Sequence, residues 1–365
     1  MYHRDLLAQA CQRYGVTLAE VTDLPLAGSP ARSRFRVVVV SDLGRRYVLE
    51  EIAADAAERR ERLALLLHRL AGRGLPVLPY RPRADGQGHI ARAGSVAAAG
   101  PLWMLSPYLQ GVPLPRPGWV HDGTLGAAMG VFLRSFRRAS PDLAGGPAWD
   151  LRRFVEGLAA TMARHRPDLL PRAEPALAVV RSQLSPALPR LPLALCHGDY
   201  HPLNVIWRAN PPREATGTPQ VGTPVLGTPV LGTPVLGAVI DWEFSGAKPA
   251  LYDVALLIGC VGIEQPEALD GAFCQRLLAA AGAHGLGDEP SWTTLVPLVI
   301  ATRLAWLSEW LRSRDREMVS MELAYLDLLV ASLEPLGATW RRLADSSDGV
   351  RGARWEAIDL VTRRL

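Results

Sequence analysis

Apolar and polar residues alternate through residues 20–26 (EVTDLPL), 34–41 (RFRVVVVS) and 45–52 (RRYVLEEI), with turn-forming runs AGSPARS and DLG between them. A half-buried strand requires this period of two, so three successive strands are predicted. The period then changes. Leu63, Leu66, Leu67 and Leu70 share one face of a helix, and Asp55 with Glu58 three positions on has the form of a capping box. Residues 74–94 and 101–111 read as further strands, and residues 1–16 as a short amphipathic helix. Beyond Gly111 helical periodicity dominates, interrupted mainly by strand-like sequence around Asp199. The expected class is α+β: a small β-rich lobe over residues 1–107, a larger, mostly helical lobe over 108–345, and a tail at 346–365.

Composition narrows the setting. The 365 residues suffice for two packed lobes, and the formal charge is only +4. Acids and bases alternate along the helices without the long single-sign run of a nucleic-acid-binding tail. Lys248 is the only lysine; every other basic side chain apart from histidine is arginine. Cysteines 11, 196, 260 and 274 form no C-x-x-C pair, which argues against a disulfide framework or a structural zinc site. The first residues lack a signal peptide's apolar core, and runs such as VPLVIAT are too short to span a bilayer. A cytoplasmic protein is expected, with no membrane or nucleic-acid contact and no obligate protein partner. Residues 217–236 repeat a five-residue unit, GTPQV followed by three copies of GTPVL. That period is too short for a solenoid, and a proline in each unit excludes a central strand, so an extended or disordered loop is expected.

The densest chemistry lies in residues 194–208 (ALCHGDYHPLNVIWR) and 239–246 (VIDWEFSG). Strand, loop, strand, long hairpin loop and strand would let Asp199, Asn204 and Asp241 converge. Phosphoryl transfer needs such a trio: one carboxylate to orient the attacking hydroxyl, and a second carboxylate with an amide oxygen to hold Mg²⁺. His197, Gly198, Asp199 and Asn204 keep the kinase catalytic-loop spacing H-R-D-x-x-x-x-N, and Asp241 falls where a later metal-binding aspartate belongs. A simple Asx turn explains neither that spacing nor Asp241.

On HGDYHPLN, IDWEFSGAKPALYDVA and the order of the lobes, residues 20–335 resemble the aminoglycoside phosphotransferase and choline kinase-like family of small-molecule kinases. The resemblance implies a two-lobed protein-kinase-like fold, with nucleotide bound by residues 1–107 and acceptor by 108–345. It implies ATP and Mg²⁺, with Asp199 as catalytic base and Asn204 and Asp241 as metal ligands. His197 and Asp253 would brace the loop, and the backbone around Met104, Ser106 and Tyr108 would meet adenine. Gly198 replaces the arginine that reads a phosphorylated activation loop, and only residues 242–252 separate Asp241 from Asp253. That leaves no peptide platform. The expected acceptor is a small-molecule hydroxyl, on a sugar, amino-alcohol, hydroxy-amino acid or aminoglycoside.

One departure stands out. The third strand carries Glu50 and Glu51 where kinases of this fold place a phosphate-binding lysine. An inverted pair is expected, with one of these glutamates orienting an arginine among Arg59, Arg60 and Arg62, and with Arg59 and Arg62 assigned to the nucleotide. A solvated charge network on the helix is the alternative. The missing lysine also motivates a non-catalytic nucleotide-binding pseudokinase. His197, Asp199 and His201 could instead serve a metallohydrolase, although the remaining histidines form no second cluster. In residues 300–315, Ile300, Leu304, Leu307 and Leu311 form a core stripe. Beside it, Trp306, Trp310 and Glu309 are candidates to stack on a sugar or cage an amine, with core filling as the alternative.

Overall fold

The computed structural model of the protein describes residues 4–26, 34–94, 100–143, 150–209, 234–282 and 286–345. Helix α1 (Arg4–Gln12) leads into strands β1 (Leu18–Thr22), β2 (Phe35–Ser41) and β3 (Arg46–Ile52), followed by helix α2 (Ala57–Gly72) and strands β4 (Ala91–Arg92) and β5 (Leu102–Pro107). The five strands form one antiparallel sheet in the order β1-β2-β3-β5-β4. Alternation gives the sheet two unlike faces. Val39, Tyr47, Leu49, Trp103 and Leu105 pack on Leu7, Ala10 and Cys11 of α1. On the other face Ile52 and Met104 meet Ala64 of α2.

The predicted helix face is real but is shared between two cores. Leu63, Leu67 and Leu70 join the large core of the helical lobe, with Leu66 packed partly buried against it. The capping box does not form: Ala56 is the N-cap, without a side-chain bond, and Asp55 lies inside a 3₁₀ turn instead of on the extended backbone a cap needs. Residues 74–94 supply only the two-residue β4 and a bridge from Val77 to Val239. Prolines 76, 79 and 82 remove the backbone donors a longer strand would use.

After the sheet come α3 (Gly123–Ala139), α4 (Leu151–His165) and α5 (Leu170–Val179). Two short antiparallel pairs then carry the chemistry-bearing loops. Strand β6 (Leu193–Cys196) pairs with β9 (Gly246–Pro249), and β7 (Val205–Arg208) pairs with β8 (Val235–Val239). The chain finishes in α6 (Tyr252–Glu264), α7 (Ala272–Gly282), α8 (Glu289–Thr293), α9 (Leu295–Ser313), α10 (Arg316–Ala331) and α11 (Leu333–Asp345). Every residue of α9 from Leu295 to Leu304 is buried, so it is the central helix of this lobe. Of the five-residue repeat, 217–233 lies outside the described residues, as does the tail 346–365. Val235 and Leu236, the end of its last unit, belong to β8 and not to a loop, because past Pro234 they pair with Arg208 and Trp207. No helix among the described residues is long and apolar enough to cross a membrane.

Candidate active site

The loop after β6 is held from below by α6. His197 N–H donates to Asp253 Oδ2 (2.7 Å) and Gly198 N–H to Oδ1 (2.8 Å), so both oxygens of this buried carboxylate are engaged. Burial pushes the Asp253 carboxyl up to about 6; the two N–H donors and Lys248 pull the other way. Gly198 has φ +85°, and a Cβ there would lie 2.2 Å from the Phe244 carbonyl oxygen. Only glycine fits. The imidazole of His197 is used at both ends. Its Nδ1 accepts from Asp199 N–H (3.2 Å), so Nε2 carries the proton and donates to Ile240 O (2.8 Å). Trp242 packs against that ring at 4.5 Å between centroids.

These bonds tie the two loops together. A 3₁₀ turn at Pro202–Asn204 aims the Asn204 amide back at Asp199, where Nδ2 donates to the backbone oxygen (2.9 Å) and to Oδ2 (3.1 Å). Ile240 N–H donates to Asn204 O (2.9 Å), so the residue before Asp241 bonds to both His197 and Asn204. Asp241 itself has φ +62° and ψ +52°, a left-handed conformation costly for a residue with a Cβ, and it borders the cleft beneath the sheet. The Asn204 NH₂ group is hydrogen-bonded to Asp199, and its carboxamide oxygen, like the Asp241 carboxylate, is a hard donor. Oxygen donors of this kind suit Mg²⁺.

The cleft has apolar walls from Leu26, Val48, Leu78, Ile206 and Ile240. Ser106, Pro107, Tyr108 and Leu109 form its edge, whereas Met104 is fully buried between sheet and helix and does not line it. Tyr108 N–H is committed to Arg46 O (3.0 Å). Deeper in, Arg60 Nη2 lies 2.6 Å from Glu50 Oε1 and 2.7 Å from Glu243 Oε1, and Nη1 lies 3.2 Å from the Tyr80 hydroxyl. Of the helix arginines, Arg60 is therefore the one that meets the strand. Arg59 and Arg62 are exposed, and Arg62 pairs with Glu58. Assigning the nucleotide to those two picks the wrong phase of the helix: one step along it turns a side chain by about 100°. Strand alternation likewise sends Glu50 to the cleft and Glu51 to the opposite face.

The acceptor candidates fare differently. Trp306 and Trp310 stack on each other at 5.3 Å, and the Trp310 indole donates to Glu322 Oε2 (3.3 Å). Glu309 is engaged by Arg312. These three thus pair with one another or with residues of α9 and α10. Arg303, by contrast, is buried against Glu322 at 2.5–2.6 Å. Asp253 at the start of α6 holds the loop that carries Asp199, and α6 packs against α9, so these two helices lie behind that loop. Glu322 escaped sequence reasoning, and Arg60 was legible only as one of three helix arginines, since each is defined by a partner distant along the chain. The metallohydrolase alternative fails on His197, whose two nitrogens are both hydrogen-bonded within the fold. No cluster of three or more His, Cys, Asp or Glu able to hold a metal occurs among the described residues.

The phosphotransferase enzyme family profile matches residues 26–215. No curated protein matches the sequence. Among solved structures, the GDP complex of wild-type aminoglycoside 2'-phosphotransferase-IIIa is similar over 90% of this chain and 97% of its own, with 18% identity and a TM-score of 0.58. An amicoumacin kinase in complex with AMP-PNP, Ca²⁺ and its ligand is similar over 91% and 94%, with 13% identity and a TM-score of 0.58. A choline/ethanolamine kinase family protein from Mesorhizobium loti is similar over 89% and 93%, with 16% identity and a TM-score of 0.52. The fold is that of these two-lobed, protein-kinase-like proteins.

Proposed function

The chain belongs to the phosphotransferase enzyme family and is a small-molecule kinase, and from that premise we propose that it moves the γ-phosphate of ATP to a small-molecule hydroxyl with Mg²⁺. The observation that carries this reading is the knot linking Asp199, Asn204 and Ile240–Asp241, in which His197 bonds to both loops. Asp199, whose Oδ2 accepts from Asn204 and whose Oδ1 lies 3.7 Å from His201 Nε2, is assigned to take the acceptor hydroxyl's proton. Asn204 and Asp241 would hold the metal, which supplies charge neutralisation at the phosphates. Asp253 and Gly198 keep the loop in register, and the apolar walls of the cleft shield the nucleotide base from water.

The acceptor would lie beside Asp199 in the helical lobe. Solved relatives bind kanamycin or amicoumacin, and an amino-alcohol, sugar or hydroxy-amino acid fits this reading equally. The test is a γ-phosphate transfer screen across aminoglycosides, sugars, choline-like amines and homoserine, run on wild type, Asp199→Asn and Asp241→Asn. With the right acceptor, wild type should turn over at roughly 1–100 s⁻¹. Asp199→Asn should abolish transfer while retaining nucleotide binding, and Asp241→Asn should abolish the Mg²⁺-dependent rate. Full activity in both variants refutes the assignment. Glu50 in place of a strand lysine favours one second reading, a nucleotide-binding protein without transfer. Nucleotide binding without turnover on any acceptor would establish it.

A further inference from the structure

Arg60 is a point where the nucleotide lobe touches the turn that carries Asp241. Its Nη2 is shared between Glu50 Oε1 on β3, at 2.6 Å, and Glu243 Oε1, two residues beyond Asp241, at 2.7 Å. Its Nη1 lies 3.2 Å from the Tyr80 hydroxyl, which lies 3.4 Å from the second oxygen of Glu50. The side chains of Arg60, Glu50 and Glu243 are no more than 10% exposed, so charge acts strongly between them. Two carboxylates drawn to one nitrogen would repel each other, and the guanidinium between them turns that repulsion into a join. What hangs from the join is Asp241, held at φ +62°, a strained conformation that only its surroundings can sustain. Before it, Ile240 is fixed by His197 and Asn204. After it, Trp242 Nε1 donates to Val239 O (2.9 Å) and Glu243 runs to Arg60.

Resting on the metal-dependent reading above, we propose that Arg60 is a positioning residue for Mg²⁺: through Glu243 it holds the turn that aims Asp241, so that metal binding in the helical lobe depends on helix α2. Kinases of this fold place a lysine on the third strand and a glutamate on the facing helix. Here the polarity is reversed, with Glu50 on the strand and Arg60 on the helix. The reversal adds a third member to the pair. A guanidinium presents a planar fork of donors, which lets one side chain hold carboxylates from two elements at once. Strand, helix and metal-holding turn therefore meet on a single cation.

The experiment is isothermal titration calorimetry of ADP and GDP, each with Mg²⁺ and with EDTA, and of adenosine and guanosine. The quantity read is the factor by which Mg²⁺ tightens the preferred diphosphate. Glu243→Gln and Arg60→Gln should each cut that factor roughly 10- to 100-fold, the size of one hydrogen bond to a charged group. Both should leave metal-free diphosphate and nucleoside affinity nearly unchanged, and Arg60→Lys should recover part of the loss. The double variant should lose no more than either single one, because the two residues act along one path. Nucleoside binding is the folding control, and if Arg60→Gln fails it, Glu243→Gln decides alone. An unchanged factor overturns the assignment, as do additive losses in the double variant. So does an equal loss with and without metal, which would put Arg60 on the phosphates instead. Asp241→Asn is the reference. If it abolishes the Mg²⁺ effect while Arg60→Gln and Glu243→Gln keep it whole, only Arg60 is misassigned. If Mg²⁺ tightens neither diphosphate in wild type, the metal-dependent reading fails and this proposal with it.

Discussion

Asp253 shows how one buried side chain sets the geometry of another. Its two oxygens accept the N–H groups of His197 and Gly198. Asp253→Ala should therefore cost about 2–4 kcal/mol, the penalty of two buried donors left without acceptors. The sign of its pH dependence follows from the raised pKa. The folded-state value of about 6 lies above the ordinary 3.8, so the group contributes stability that is complete below the lower value and is lost as pH rises through the upper one. The alanine variant should thus be further destabilised by about 1 kcal/mol near pH 5 compared with near pH 7.5. Urea unfolding of both proteins at the two pH values measures this, and a penalty that grows with pH would show the carboxyl is not raised. The candidate base and its amide partner were legible as a spacing because they sit on one short loop, whereas Asp253, on a helix beyond three further strands, came only with the family resemblance. Arg60 was legible only as one of three arginines.

Helices and strands carried their signals unequally. The apolar stripe of α2 and the alternation of β2 and β3 are local and strong, and they set which faces are buried. The start of α2 and the stretch before β4 misled, because a 3₁₀ turn and three prolines change backbone geometry without disturbing the hydrophobic pattern. The repeat divides where β8 begins. Arg208 and Val235 pair at the foot of the connection, and the entropy of closing a connection changes only slowly with its length. Deleting residues 217–231 should shift stability by less than about 1 kcal/mol and leave turnover intact. Extending the deletion through Leu236 removes two strand residues, of which Leu236 is buried and pairs with Trp207, and should cost about 2–4 kcal/mol. Thermal melts of the two deletions separate these outcomes, and equal destabilisation would contradict the boundary at Val235.

The protein as a whole is joined more firmly than two lobes linked by a hinge. Leu63, Leu67 and Leu70 of the first lobe's helix sit in the same continuous core as α3, α6 and α9, and Arg60 reaches Glu243 across the cleft. Calorimetry is therefore expected to show one cooperative unfolding transition, not two. Mg²⁺ and the preferred nucleoside diphosphate at about 100 times Kd should stabilise that transition by about 2.7 kcal/mol. Two resolved transitions, with only the first moved by ligand, would mean the shared core does not couple the lobes.

Read as a string, these 365 residues already disclosed an α+β protein with two lobes, the faces of its principal helices, and a set of oxygen donors suited to phosphoryl transfer. Such features are short-range: a period of two or 3.6, or a spacing within one loop, follows from covalent geometry alone. Packing alone settled that Glu50 and not Glu51 faces the cleft partner, that Arg60 and not Arg59 or Arg62 meets it, and that Trp306 and Trp310 stack on each other. Those outcomes depend on the rotational phase of one element against another, and that phase is set by many weak contacts between residues far apart in the chain.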